Sequence, residues 1–394
     1  MSVAGWTQLR HAVTCLDGRR VPVSAEERSD RQGPYPYWGA NGVVDTIDGY
    51  LFDEPLVLLG EDGAPFFDPA KQVAFCISGP IWVNNHIHVL RTGSRFDPRF
   101  VTHCLNVTDY GPWIGGTTRD KLTQDDMSCI PIPDLPLSRQ RVIADYLDAE
   151  TARIDSVLIA RARVLSLVAE RPWRLFERLV VESGAARLPM RRALIDIADG
   201  PFGSAFASDD YVDEGAFVVR LGNIGFAEFV PEPAAFIPLP LYRRFPRCHV
   251  RPGDLLVAGL GDDNNHAGRA CVAPELGPTM VKGKCFCAVT DPSRAEVAFL
   301  ALYLSSSLGA AEVDAASHGS TRAMINLDII KSTLVPLPSL VRQREILDCV
   351  SQERLRAEIT STKLSRQIEL LLERRQALIT AAVTGQIEIP GVAA

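Results

Sequence analysis

The sequence predicts an α/β (α+β) fold: two globular modules separated by two long antiparallel coiled-coil helices, with an internal pseudo-twofold repeat. Three observations carry this expectation. A proline-studded run, Ile130-Pro131-Ile132-Pro133-Asp134-Leu135-Pro136, passes straight into a long amphipathic stretch. The same passage is written again from Val335-Pro336-Leu337-Pro338-Ser339-Leu340 onward. Each passage follows a region of short apolar runs bounded by turn residues, the pattern of strands. A repeat of this kind decides how many units the chain builds, so it comes before any local reading.

Residues 1–136 form the first module. Pro55–Gly60 and Val73–Ile77 are apolar runs bounded by turn residues, hence strands. Gly60-Glu61-Asp62-Gly63-Ala64-Pro65 is a loop by its glycine and proline content. Ile81–Val83 and His88–Leu90 read as strand ends around a polar tip, Asn84-Asn85-His86. Residues 137–185 form the first helix, with Ile143, Leu147, Ile154, Leu158, Leu165, Val168, Phe176 and Leu179 on one face. Pro172 is expected to kink or interrupt it, at roughly 3 kcal/mol in an interior.

Residues 186–340 form the second module, strand-rich again, with Ala216–Leu221 and Asp254–Ala258 as strands and one helix over Ala295–Leu308. Leu9–Val13 and Asp17-Gly18 line up with Met190–Leu194 and Asp199-Gly200. Gly116–Arg119 lines up with Gly319–Arg322. Residues 341–394 form the second helix and a tail, with Ile346, Val350, Ile359, Leu364, Ile368, Leu371, Leu378 and Val383 on one stripe. The junctions differ when counted from proline, because five residues separate Pro133 from Arg139 and three separate Pro338 from Arg342. A helix of about 40 residues spans roughly 60 Å. Neither helix buries its stripe alone, so the two are expected to pair, with a module at each end.

The bulk numbers exclude several classes. The 394 residues suggest two or three domains. No apolar run reaches 18 residues, so no membrane association is expected. Met1–Trp6 lacks a basic region before an apolar core, and the nine cysteines show no repeating frame; a reduced cytoplasmic setting is expected. A net charge of −7 argues against a wholly basic surface but leaves room for a local basic cleft.

No motif predicts a catalytic group. There is no glycine-rich phosphate loop between a strand and a helix. No Asn-Pro-Pro-aromatic or Asp-Pro-Pro-aromatic tetrapeptide occurs, and amino-methyltransferases resemble one another in carrying it. His86 and His88 could share a strand face as a metal pair, and Glu61-Asp62 could be half of a nuclease site. Neither has the further ligands that would complete it, so no metal is expected. A stand-alone DNA-modifying or DNA-cleaving enzyme is the alternative reading.

The polar tips suggest base reading instead. Asn pairs bidentately with adenine, Arg or Lys with guanine. The first module offers Trp38, Asn41, Asn84, Asn85, His86, His88 and Arg119. The second offers Arg220, Asn223, Asn264, Asn265, His266, Arg269, Lys282, Lys284 and Arg322. Arg243 and Arg244, with Arg247 and Arg251, form a basic stretch suited to phosphates.

Taken together, the chain resembles the specificity subunits of type I restriction–modification systems. The resemblance covers essentially the whole chain. It is carried by Tyr37-Trp38-Gly39-Ala40-Asn41-Gly42, Gly60–Pro65, Trp82–Leu90, Arg220–Ile224, Gly253–Gly259, both proline-to-helix junctions and Glu373–Gly385. It implies two target-recognition domains, each reading half of a split double-stranded DNA sequence. It implies helices that set the gap between half-sites and dock two methyltransferase subunits, with restriction subunits in the same complex. Those partners would hold S-adenosylmethionine, ATP and Mg, and this chain none of them.

Overall fold

The structure, a computed structural model, describes residues 5–115, 120–201, 210–316 and 324–390. It divides into two units: Met1–Leu165 together with Lys363–Ala394, and Ser166–Thr362.

In the first unit one sheet runs in the order Val13–Cys15, Ile87–Thr92, Leu56–Gly60, Ala74–Ile77, with every neighbour antiparallel. A second sheet runs Gly42–Ile47, Tyr35–Gly39, Pro80–Val83, Phe52–Asp53. Here Tyr35–Gly39 and Pro80–Val83 are parallel and the other pairs antiparallel. The uninterrupted apolar run Leu56–Leu59 is explained by burial on both faces. Val57 and Leu59 meet the helices, whereas Leu56 and Leu58 meet the second sheet.

The second unit repeats this order. Its first sheet runs Leu194–Asp199, Cys285–Thr290, Leu255–Ala258, Ala270–Val272. Its second runs Phe236–Ile237, Ala216–Val219, Thr279–Val281, His249–Val250, and again the middle pair alone is parallel. Leu255 and Val257 face helices, and Leu256 and Ala258 face the other sheet. The helix expected over Ala295–Leu308 is two helices, Val297–Ser305 and Ser307–Ala316, bent by 74°. Ser306 is extended there and its hydroxyl donates to the Tyr303 carbonyl at 2.7 Å.

The proline runs are strands. Pro131–Asp134 pairs with Gly5–Gln8, and Leu334–Pro336 with Arg187–Pro189. Two-stranded ribbons tolerate proline because a strand with a free edge has amides that need no partner. From buried Ile132 to Gln140, and from buried Val335 to Gln343, the chain advances eight residues in both copies. The junctions are therefore in register, and the difference counted from proline is no difference in architecture. Both glutamines are fully buried and bonded alike. Gln140 accepts from the Asp97 amide at 2.9 Å and donates to the Arg95 and Leu135 carbonyls at 3.0 and 2.7 Å. Gln343 accepts from the Glu296 amide at 2.8 Å and donates to the Arg294 and Pro338 carbonyls, both at 2.9 Å.

The long helices run Leu137–Glu182 and Leu340–Val383. Pro172 lies inside the first and does not interrupt it. Its flanks are anchored, with Val168 and Phe176 both buried, and that packing offsets the lost backbone bond. In each unit the two helices run antiparallel. In the first, Ile143 and Leu147 share a core with Ile379 and Val383, and Asp155 pairs with Arg375 at 3.0 Å. In the second, Phe176 and Val180 share a core with Ile346 and Val350, and Arg171 pairs with Glu353 at 3.0 Å. Among the described residues no single helix is long and apolar enough to cross a membrane.

Candidate nucleic-acid interface

The two sheets of the first unit are joined by the turn Asn84-Asn85-His86, between strands Pro80–Val83 and Ile87–Thr92. The Asn84 amide donates to the Trp38 carbonyl at 3.0 Å, and the His86 amide to Asn84 Oδ1 at 2.8 Å. Asn85 is exposed and the other two are half-buried. The Ala40–Asn41 hairpin tip and the Glu61–Asp62 loop converge here. The Glu61 amide donates to the His86 carbonyl at 2.9 Å, and a side chain on Gly60 would press on Ala64 and the Ala40 carbonyl.

The second unit places Lys282-Gly283-Lys284 at the same point. The Lys282 amide donates to the Val219 carbonyl at 3.0 Å, as Asn84 does to Trp38. A Cβ on Gly200 would collide with the Lys282 backbone, so that position requires glycine. Lys282 donates to the Tyr211 hydroxyl at 2.9 Å. Lys284 holds φ +72, and its amide donates to Asp199 at 3.1 Å. The repeat thus brings two candidate sets, unrelated in sequence, to equivalent turns.

The other candidates divide. Asn41 is exposed, as is Asn264. Asn265 donates to both Asp262 oxygens, at 2.9 and 3.1 Å. His266 faces the Leu304 carbonyl at 2.9 Å with its ring against Phe226. Arg220 donates to the Pro233 carbonyl at 2.6 Å. Arg243, Arg244, Arg247 and Arg251 are all exposed, and none of these side chains has a hydrogen bond or ion pair among the described residues. Arg119 and Arg322 lie outside the described residues, as do both Gly-to-Arg landmarks entirely.

Five expectations are corrected, four of them about base-reading side chains. His88 is fully buried; its ring nitrogens face Asp17 at 2.6 Å and the Leu122 carbonyl at 3.0 Å. The strand starts at Ile87, so His86 sits in the turn and the two histidines do not share a face. Asn223 is buried, accepting from the Arg220 amide and donating to the Val230 carbonyl. Arg269 is 4% exposed and spends its donors on carbonyls. Trp38 packs on Phe75 at 5.3 Å and lines a cavity with His103 and Arg375, so its ring is turned from the turn toward the helices. His88, Asn223, Arg269 and Trp38 cannot present a polar edge to a base from these places.

A residue missed in the sequence, Arg20, ties the first site together. Its guanidinium donates to the Ile87 carbonyl at 2.8 Å and pairs with Glu61 at 2.6 Å and Asp17 at 3.4 Å. Lys121 adds a 3.4 Å pair to Glu61. Glu61 is thereby neutralised by two cations, a poor state for a metal-binding carboxylate. Burial alone would raise the pKa of Asp17, but hydrogen bonds from His88 and the Val89 amide, with the charges of His88 and Arg20, hold it at about 2. Cys15, Asp17 and His88 bring donor atoms within 4.8 Å of one another and could hold an ion. The hydrogen bonds of His88 already engage both of its nitrogens, and burial pushes the Cys15 thiol up to about 11. The cluster therefore reads as a hydrogen-bonded Asp17–His88 pair beside the thiol of the exposed residue Cys15.

An antiparallel helix pair with paired sheets and polar turns at equivalent points defines a duplicated binding scaffold. Residues 14–158 and 262–370 match the model of the type I restriction modification DNA specificity domain, and the chain belongs to that family. A putative type I restriction enzyme specificity subunit of Haemophilus influenzae, S.HindORF215P, is 35% identical over 147 residues, which is 37% of each chain. The matched stretch is thus well under half of that relative's length. A solved structure reported for complex assembly and conformational transition of the type I R-M system aligns over 98% of this chain and 99% of its own. Its TM-score is 0.71 at 17% identity, a likeness of fold.

Proposed function

We propose that this chain is the DNA sequence-specificity subunit of a type I restriction–modification complex, each recognition domain binding one half of a bipartite target. The observation that carries this is the pair of equivalent turns with unlike chemistry. Asn84-Asn85-His86 suits adenine edges, whereas Lys282 and Lys284 suit guanine edges or phosphates. Asn41 joins the first reader; Arg220, Asn264, Asn265 and His266 border the second; Arg243 and Arg244 grip phosphates. Residues 1–136 and 186–340 are the recognition domains, and 137–185 and 341–394 the helical parts. The helices dock two methyltransferase subunits, and restriction subunits join them in the cytoplasm. The chain itself is non-catalytic and binds no cofactor; S-adenosylmethionine, ATP and Mg belong to the partners.

Replacing residues 1–136 by the matching domain of another family member tests the reading. Genome-wide mapping of methylated adenines should show one half of the motif changed and the other half kept. An unchanged motif would overturn the proposal.

A further inference from the structure

Arg269 carries a consequence beyond its burial. Its Nε donates to the Ile224 carbonyl at 2.8 Å, and one terminal nitrogen to the Leu221 carbonyl at 2.9 Å. The other terminal nitrogen reaches the Leu260 and His266 carbonyls at 3.2 and 3.1 Å. One side chain therefore binds both ends of two separate segments, 221–224 and 260–266. The first follows Arg220, and the second carries Asn264, Asn265 and His266. Among the described residues no carboxylate lies within ion-pair distance of Arg269, and of the carboxylates only the more distant Asp262 charge favours its cation. A buried cation held by neutral carbonyls is a costly arrangement. Burial pushes its pKa below the ordinary arginine range. A hydrophobic residue would satisfy the core at less cost, but only a planar five-donor fork reaches four carbonyls at once.

We propose that Arg269 is a specificity-determining positioning residue: it touches no DNA, and it fixes the 221–224 and 260–266 segments as one rigid reading surface. This rests on the DNA-specificity reading above. Lysine keeps the charge but has a single nitrogen, so Arg269→Lys leaves most of the four carbonyls without their donor.

The test uses the full chain, wild type and Arg269→Lys, expressed in cells that supply its methyltransferase partner. Methylated adenines are mapped across the genome, and amide hydrogen exchange is followed on the purified full chain. The expected result is exchange about tenfold faster at the Ile224, Asp262 and Asn265 amides, with the Leu255–Ala258 and Cys285–Thr290 strands protected as before. In the same cells one half of the methylated motif should accept substituted bases while the other half stays strict. An intact motif overturns the inference, as does equal relaxation of both halves. Loss of strand protection along with the segments also overturns it, since Arg269 would then merely hold the fold. A wild-type chain that yields no bipartite motif instead overturns the DNA-specificity reading, so the two failures are told apart.

Discussion

Asp17 and Asp199 occupy matching places in the two units, each before a glycine near the polar turn; Asp199 ends the strand Leu194–Asp199, and Asp17 lies two residues past Val13–Cys15. They live in opposite electrostatic surroundings. Asp17 faces His88, Arg20 and Gln124, and its pKa is held at about 2. Asp199 accepts the Lys284 amide, but burial outweighs that bond and its pKa is raised. Across the sheet, Phe286 stands where the first unit has His88, packed close over Gly259. One unit therefore supports its polar turn with a charge network centred on Arg20. The other does so with an apolar floor and one arginine on carbonyls. The two helix junctions are alike, down to the bonds of Gln140 and Gln343. The supports beneath the two turns differ, which fits the proposal that each unit reads its own half-site.

The sharpest way to break this comparison is His88→Ala. It strips Asp17 of its shortest hydrogen bond inside the core, and breaking a buried pair from one side costs about 3 kcal/mol. Hydrogen exchange should show lost protection in Leu56–Gly60 with Leu255–Ala258 unchanged. Equal loss in both strands would mean that the two units do not divide the network as described.

A smaller effect follows from acid. The ordinary value of Asp17 is 3.8 and its folded value lies lower, so the unfolded chain takes the proton first. Its stabilisation is complete above about pH 4 and disappears as pH falls towards 2, a loss of about 1 to 2 kcal/mol after solvent screening. Asp199 has the opposite sign: the folded unit keeps its proton to higher pH, so acidification favours the folded form there. Strand protection, normalised to intrinsic exchange, should fall in the first unit on acidification before it falls in the second. Simultaneous loss would show that the two aspartates are equivalent after all.

The repeat, the two helices and the polar turns were legible because each leaves a local mark: proline runs, a 3.6 period, polar residues between apolar strands. The parallel pairing of Tyr35–Gly39 with Pro80–Val83 was not, since it joins segments over forty residues apart and depends on burial of both sheets. Nor was the fate of individual polar residues. His88 and Arg269 look like readers by residue type, but whether a residue in a strand, or just before one, points inward depends on where the strand begins. Arg20 left no mark because its partners, Glu61 and Ile87, come from a distant loop and a distant strand. Pro172 misled for a related reason: a proline breaks an isolated helix, but packing on both sides of it keeps this one continuous.

The smallest effects separate grip from reading. Arg243 and Arg247 are exposed on the second unit, and changing either to alanine should weaken binding to matched and scrambled DNA alike. Removing one cation from a phosphate should reduce the slope of log affinity against log salt by about 1. Asn84→Ala and Asn85→Ala in the first unit should do the reverse, altering preference at one half-site with little change in slope. Measuring all four variants across a salt series decides the matter. If the asparagine variants flatten the slope as much as the arginine variants do, the turn contacts the DNA backbone, and the likeness between the two turns is one of position without a shared reading role.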